Sequence, residues 1–196
     1  LRWASPARGG GLAGSLGDEG DALVAAGDPV AARRKYEAAI AADVDLLEAY
    51  DAAAPLWFAA ADFTTAIAHL ERATLRHPEH ATSWYQLAYA YRRRDRWHEA
   101  ILSYEAYVAL RPGDPKPWFG LGVARQRAGL RDQAIAAYRR YLELERDDGQ
   151  AEYLDGARAA IAELGGDRDA GIRLLARLPI IGAVMAALQR IGNLQR

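Results

Sequence analysis

The chain has 196 residues, 51% hydrophobic and 26% charged, with no cysteine and a net charge of −1. That length can bury a real core, the composition argues against disorder and against a membrane bundle, and the missing thiols exclude disulfides, thiolate metal sites and a cysteine nucleophile. The near-zero charge divides into −5 over residues 1–80, +3 over 81–148 and +1 over 149–196, which is no nucleic-acid binder's excess but gives a basic middle suited to acidic segments of a protein partner.

Residues 1–12, with Pro6 and Gly9-Gly10-Gly11, read as a flexible arm. A phosphate loop does not fit, since no strand precedes the glycines and no Gly-Lys-Ser/Thr follows. The chain opens on Leu1, so a fragment or processed product is expected, and a signal or anchor upstream stays open.

From residue 13 the sequence repeats with a period of 34, in units 13–46, 47–80, 81–114 and 115–148. Position 4 of the units is Leu16, Tyr50, Trp84 and Trp118, and position 8 is Gly20, Ala54, Ala88 and Gly122. Position 20 is alanine throughout (Ala32, Ala66, Ala100, Ala134), and position 24 is Tyr36, Leu70, Tyr104 and Tyr138. Trp84, Leu87 and Tyr91 form one apolar stripe at helical spacing, and Ala100, Tyr104, Tyr107 and Val108 form a second. Small residues at positions 8 and 20 let the two helices approach closely. Turn residues separate the stripes: Gly27-Asp28-Pro29, Ala61-Asp62, Arg94-Asp95-Arg96 and Ala128-Gly129. Pro78, Pro112 and Pro115 punctuate the unit ends. Each unit is therefore a helical hairpin that buries its faces only by stacking on its neighbours.

The run Trp84-x2-Leu87-Ala88-x2-Tyr91, followed by Ala100, Tyr104 and Pro112, resembles the tetratricopeptide repeat signature, as does Trp118-x2-Leu121-Gly122 with Gly129, Ala134 and Tyr138. The resemblance covers residues 13–148 and implies an all-α, right-handed superhelical solenoid of antiparallel helix pairs. The first two units depart from it. Glu19 stands where the family has leucine, Val44 replaces the terminal proline, and Pro55 falls inside a helix. An interior proline costs about 3 kcal/mol unless the helix yields, so a bend or break is expected near Ala54–Pro55.

Beyond the repeats, residues 149–166 read as a capping helix over Ala151–Leu164, closed by Gly165-Gly166. Residues 167–196 read as a basic amphipathic tail, with five arginines and one acid from Arg168 to Arg196. Ile181, Val184, Met185, Leu188 and Ile191 share one apolar face for the solenoid, a partner, a second copy or a membrane surface. The uncharged run Leu178–Gln189 is 12 residues, too short to span a bilayer.

No catalytic constellation emerges, and no cofactor or metal is expected. His77 and His80 are close in sequence, but no HExxH pattern accompanies them. Ser5, Ser15, Ser83 and Ser103 lack a nucleophile-elbow context. The resemblance instead implies a concave groove lined by positions 2, 5, 9, 12 and 13 of each unit. In this chain those positions include Phe58, Tyr85, Tyr89, Arg92, Arg93, Lys116, Phe119, Gln126 and Arg127. Tyr85, Tyr89 and Arg92 also fall on one helical face by spacing alone, and tyrosine and arginine recur in binding hot spots. The one asparagine, Asn193, lies outside the repeats, which argues against the asparagine-and-lysine clamp of family members that hold a chaperone C-terminus. The expected function is a non-enzymatic scaffold or adaptor holding a peptide or protein partner, acidic in character, in that groove. Self-association and peripheral membrane contact through the tail stand beside it. Two alternatives are an assembly or pilotin-like factor of a bacterial envelope machine and the repeat module of a larger enzyme or regulator. A cytoplasmic location is the default expectation, an envelope-associated one the alternative.

Overall fold

The computed structural model describes residues 11–145 and 150–176, with side chains through Gly165. The described residues form helices α1 Leu12–Ala25, α2 Pro29–Ala42, α3 Leu47–Ala59, α4 Phe63–Arg76, α5 Ala81–Arg93, α6 Trp97–Leu110, α7 Lys116–Arg127, α8 Arg131–Leu144 and α9 Ala151–Ala176, with no strand among them. The second helices of the four pairs begin at Pro29, Phe63, Trp97 and Arg131, each 34 residues after the last. Each helix packs mainly on its sequence neighbours, which makes the array a helical solenoid.

One backbone device closes every hairpin. At position 15 of the units, Gly27, Ala61, Asp95 and Gly129 take left-handed backbone, with φ of 80°, 54°, 57° and 77°. Glycine adopts this without steric cost, whereas Ala61 and Asp95 are held in it by the packed helices on either side. Asp28 and Asp62 then cap the following helices, their Oδ1 atoms accepting from the Ala31 N–H at 2.9 Å and the Thr65 N–H at 3.2 Å.

The small residues at position 8 make room for a specific neighbour. A Cβ on Gly20 would lie 2.6 Å from the Tyr36 ring, and one on Gly122 would lie 2.7 Å from the Tyr138 ring. In the first and last units the ring at position 24 thus occupies the volume that a side chain at position 8 would need, whereas in the third the Tyr104 ring lies against Gly120 of the next unit. The four alanines at position 20 are fully buried, consistent with close helix approach.

Between hairpins runs a polar rung invisible to the hydrophobic pattern. Trp57 Nε1 donates to Glu37 Oε1 at 2.9 Å, Tyr91 Oη donates to Glu71 Oε1 at 2.5 Å, and Arg125 Nη2 donates to Glu105 Oε1 at 2.8 Å. In each case the donor is position 11 of one unit and the acceptor is position 25 of the unit before. A directional bond at the same place in successive interfaces fixes the register that apolar packing alone leaves loose.

Two expectations require correction. Helix α3 runs through Pro55 to Ala59, so the chain does not break there. Pro55 is exposed, so its ring displaces nothing in the core, and the local loss is the hydrogen bond to the Asp51 carbonyl one turn back. Buried Ala53, Ala54 and Trp57 hold the rest of the helix in place. Pro55→Ala restores the missing N–H without altering a buried contact, so it is expected to raise unfolding free energy by about 1–3 kcal/mol in chemical denaturation. No gain would mean that the proline contributes packing of its own. The second correction concerns α9, which continues through Gly165-Gly166 to Ala176. Glycine costs a helix only about 1 kcal/mol relative to alanine, and it stops one chiefly by taking positive φ, which Gly165 does not. The apolar tail face from Ile181 to Ile191 lies outside the described residues.

An exposed tie joins the first two hairpins. Arg76 Nε and Nη2 donate to the Asp45 carboxylate at 2.5 and 2.7 Å, and His77 Nε2 donates to it at 2.9 Å. The hydrogen bonds from Arg76 and then His77 hold the Asp45 carboxyl down at about 2, below the ordinary aspartate value of about 3.9. Because the folded value is the depressed one, the stabilisation is present above the ordinary value and is lost as pH falls through about 2. A carboxyl-detected NMR titration is expected to show Asp45 titrating near about 2, and Asp45→Asn is expected to abolish the acid-dependent loosening of this junction. Titration of Asp45 at the ordinary value would show that the tie does not form in solution.

Candidate functional site: an aromatic recess in the repeat groove

The first helices of the later hairpins bring five of the nine predicted groove residues around one recess of about 260 Å³. Tyr85, Tyr89 and Arg92 reach it from α5, and Lys116 and Phe119 reach it from α7. Tyr104 of α6, Tyr141 of α8 and Tyr153 of α9 complete its aromatic lining. The Tyr85 ring centroid lies 5.5 Å from Tyr107 and 6.0 Å from Tyr104. Phe119 meets Tyr153 at 5.1 Å, Tyr141 at 5.4 Å and Tyr138 at 5.7 Å, all edge-on, the arrangement that ring quadrupoles favour.

The other four predicted residues stand apart from the recess. The Phe58 ring lies 4.9 Å from Tyr89, tilted by 54°, and so continues the aromatic surface toward α3. Arg93 places its guanidinium 4.9 Å from the Phe63 ring and donates from Nη1 to Tyr89 Oη at 3.0 Å. Gln126 accepts a bond from Tyr138 Oη at 2.8 Å, a tie within its own hairpin. Arg127 is exposed, with its guanidinium 5.9 Å from the Trp97 ring.

Polar groups in the recess are unequally satisfied. The guanidinium of Arg92 lies 5.4 Å from the Tyr89 ring, and its Nε is buried with no hydrogen-bond partner. Burial pushes the hydroxyls of Tyr85 and Tyr104 above the usual phenol range, against the opposing pull of Arg92. Both therefore remain protonated donors at neutral pH. Beneath them Gly120 is required, because a Cβ there would lie 2.5 Å from the Tyr104 hydroxyl.

The groove's matching positions in the sequence belong to a wider pattern. Tetratricopeptide repeat models match residues 52–115 and 118–152. This chain is a tetratricopeptide repeat protein. Comparison with curated protein sequences gives no match. Among solved structures, the crystal structure of MamA protein is similar at 26% identity over 72% of this chain and 76% of that one, with a TM-score of 0.62. The 41-end segment of MamA from Desulfovibrio magneticus RS-1 aligns at 16% identity over 91% of this chain and 97% of that one, with a TM-score of 0.70. The first TPR of Spaghetti (RPAP3), bound to HSP90 peptide SRMEEVD, is similar at 19% identity over 60% of this chain and 94% of that one, with a TM-score of 0.56. The repeats make this chain a protein–protein interaction module.

Within this tetratricopeptide repeat protein, sequence reasoning missed Tyr104, Gly120, Tyr141 and Tyr153 as recess residues. The first three were hidden because positions on second helices, and a glycine between groove positions, carry no groove signal of their own. Tyr153 belongs to α9, beyond the repeat register. A second grouping resembles catalytic machinery. His80 Nδ1 lies 2.8 Å from Ser83 Oγ, and its Nε2 lies 3.6 Å from Asp51 Oδ2. Ser83 is fully buried, so a substrate carbonyl has no path to its oxygen, and the grouping serves to join α3 to the start of α5. Burial, with Glu48 adding to it, raises the Asp51 carboxyl to about 6 against the opposing effects of His80 and Gln86. Among the described residues, no cluster of three or more histidines or acids could hold a metal ion, and no helix is long and apolar enough to cross a membrane.

Proposed function

We propose that the concave row from Phe58 to Arg127 holds a segment of a partner protein, and that the segment is acidic. The observation that carries this reading is the meeting of Tyr85, Tyr89, Arg92, Lys116 and Phe119 around one recess. Aromatic rings there supply contact area at low entropic cost, while the cations supply steering and register. Exposed Arg93 and Arg127 extend the positive charge along the same helices.

The test is fluorescence anisotropy with panels of acidic, neutral and basic nonapeptides. Acidic peptides are expected to bind best, with affinity falling as salt rises. Replacing the exposed cations Arg93, Lys116 and Arg127 with glutamate is expected to weaken acidic-peptide binding by about 10- to 100-fold. Thermal unfolding should move only modestly, by less than about 0.5 kcal/mol for Lys116 and for Arg127 and by about 1 kcal/mol for the Arg93 contact with the Phe63 ring. Equal binding of the basic panel, or unchanged affinity in the triple variant, would defeat the proposal.

A further inference from the structure

The recess contains more hydrogen-bonding capacity than the protein uses. Tyr104 is 2% exposed and lines the recess, yet its hydroxyl donates to no group among the described residues. The Arg92 guanidinium beside it can only donate to the phenolic oxygen, so the phenolic proton remains available. Arg92 pairs with no carboxylate among the described residues, and its Nε–H is buried without an acceptor. A buried donor without an acceptor is rare in folded proteins and calls for an explanation, and here the free phenolic proton of Tyr104 stands beside it. Lys116 and Glu145 line the same recess with opposite charges, and Arg92 adds a second positive charge to it.

The ligand group that answers these donors is an oxyanion, because an acceptor-only group can take both bonds and neutralise the guanidinium. A cation would suit the aromatic walls but would meet Arg92. The chain's own residues 177–196 carry three arginines and no acid, the wrong sign for this site. The volume of about 260 Å³ exceeds what one carboxylate needs, which leaves the ring faces of Tyr89 and Phe119 for an apolar side chain beside it.

We infer that this recess is the anchor subsite for an internal acidic residue of the bound segment. The side-chain carboxylate accepts from Arg92 and Tyr104, and an adjoining apolar residue packs on Tyr89 and Phe119. This rests on the groove reading above and adds to it the position and chemistry of the anchor. The carboxylate comes from a side chain within the segment, so a free chain terminus is not required.

Calorimetric titration of end-blocked nonapeptides tests the assignment. One peptide carries a central Glu-Leu pair, a second replaces it with Gln-Leu, and a third with phosphoserine-Leu. A fourth has the Gln-Leu sequence with a free C-terminus. The Glu-Leu peptide is expected to bind at least tenfold more tightly than Gln-Leu. Tyr104→Phe keeps the ring on Gly120 and is expected to weaken Glu-Leu binding about five- to tenfold more than Gln-Leu binding. Arg92→Gln is expected to remove most of the preference. Equal weakening of both peptides by Tyr104→Phe would mark a purely structural role and overturn the inference. So would a preference insensitive to both variants, tight binding of only the phosphoserine peptide, or binding that appears only with the free C-terminus. If acidic peptides bind but the preference ignores Arg92 and Tyr104, the anchor assignment alone fails. If no acidic peptide binds at all, the groove reading fails and takes this inference with it.

Discussion

Trp57→Ala is expected to lower the unfolding free energy by about 3–5 kcal/mol, the range for removing a large aromatic side chain from a packed core. Trp57 is fully buried. Its indole stacks on His69 at 4.9 Å with 11° between the planes, and its Nε1 supplies the rung to Glu37. Burial holds the His69 pKa below its ordinary value, so the partner of that stack is a neutral ring at physiological pH. Truncation leaves a cavity, strands the Glu37 acceptor and frees one interface of the stack at once. Since domains are stable by only about 5–15 kcal/mol, the variant is expected to melt far below the parent in calorimetry and to open first between the first two hairpins in hydrogen exchange. Trp57→Phe separates the effects: the ring is kept, the rung is lost, and the cost should fall to about 1–2 kcal/mol. A loss below about 1 kcal/mol for the alanine variant would show that α3 can collapse onto the space.

Gly122→Val is expected to be nearly as damaging, for the opposite reason. The new Cβ would lie 2.7 Å from Tyr138 in the centre of the last hairpin, and both contacting groups are in a packed core rather than at a flexible end. Valine is stiff at χ1 in a helix, so it cannot turn aside. The helices must separate or Tyr138 must leave, at a cost of about 1–3 kcal/mol or more. Tyr138 Oη would also lose its bond to Gln126. The change is expected to lower the denaturation midpoint, and the companion substitution Tyr138→Leu, copying the Leu70–Ala54 pairing of the second unit, should recover part of it. Full stability in the valine variant would mean that the hairpin is looser than its geometry implies.

The hydrophobic period was enough to read the hairpins, because a helix that buries one stripe must repeat large and small residues at fixed places. Position 15 was legible as a turn from Gly27 and Gly129, and by register at Ala61 and Asp95. The continuity of α3 through Pro55 is not legible in local propensity, which does not encode which side of the helix faces water. Gly165-Gly166 misled because glycine weakens a helix without being obliged to end it. The recess was half legible. Tyr85, Tyr89 and Arg92 share a helical face by arithmetic, whereas Tyr104 and Tyr153 join them through inter-repeat packing, which no spacing within one unit encodes.

The rung of glutamates has a consequence for how such a chain can lengthen. Units 47–80 and 81–114 each carry both halves, a donor at position 11 (Trp57, Tyr91) and an acceptor at position 25 (Glu71, Glu105). The first unit has the acceptor Glu37 but Leu23 where a donor would stand, and the last has the donor Arg125 but Arg139 where the acceptor would be. A tandem copy of either middle unit would therefore find a matching bond on both sides. A copy of an outer unit would leave one interface unbonded, or set Arg125 against Arg139. The ends of the ladder are terminators and its middle is a growth zone: gene duplication can insert hairpins between them, but adding one outside them requires new chemistry.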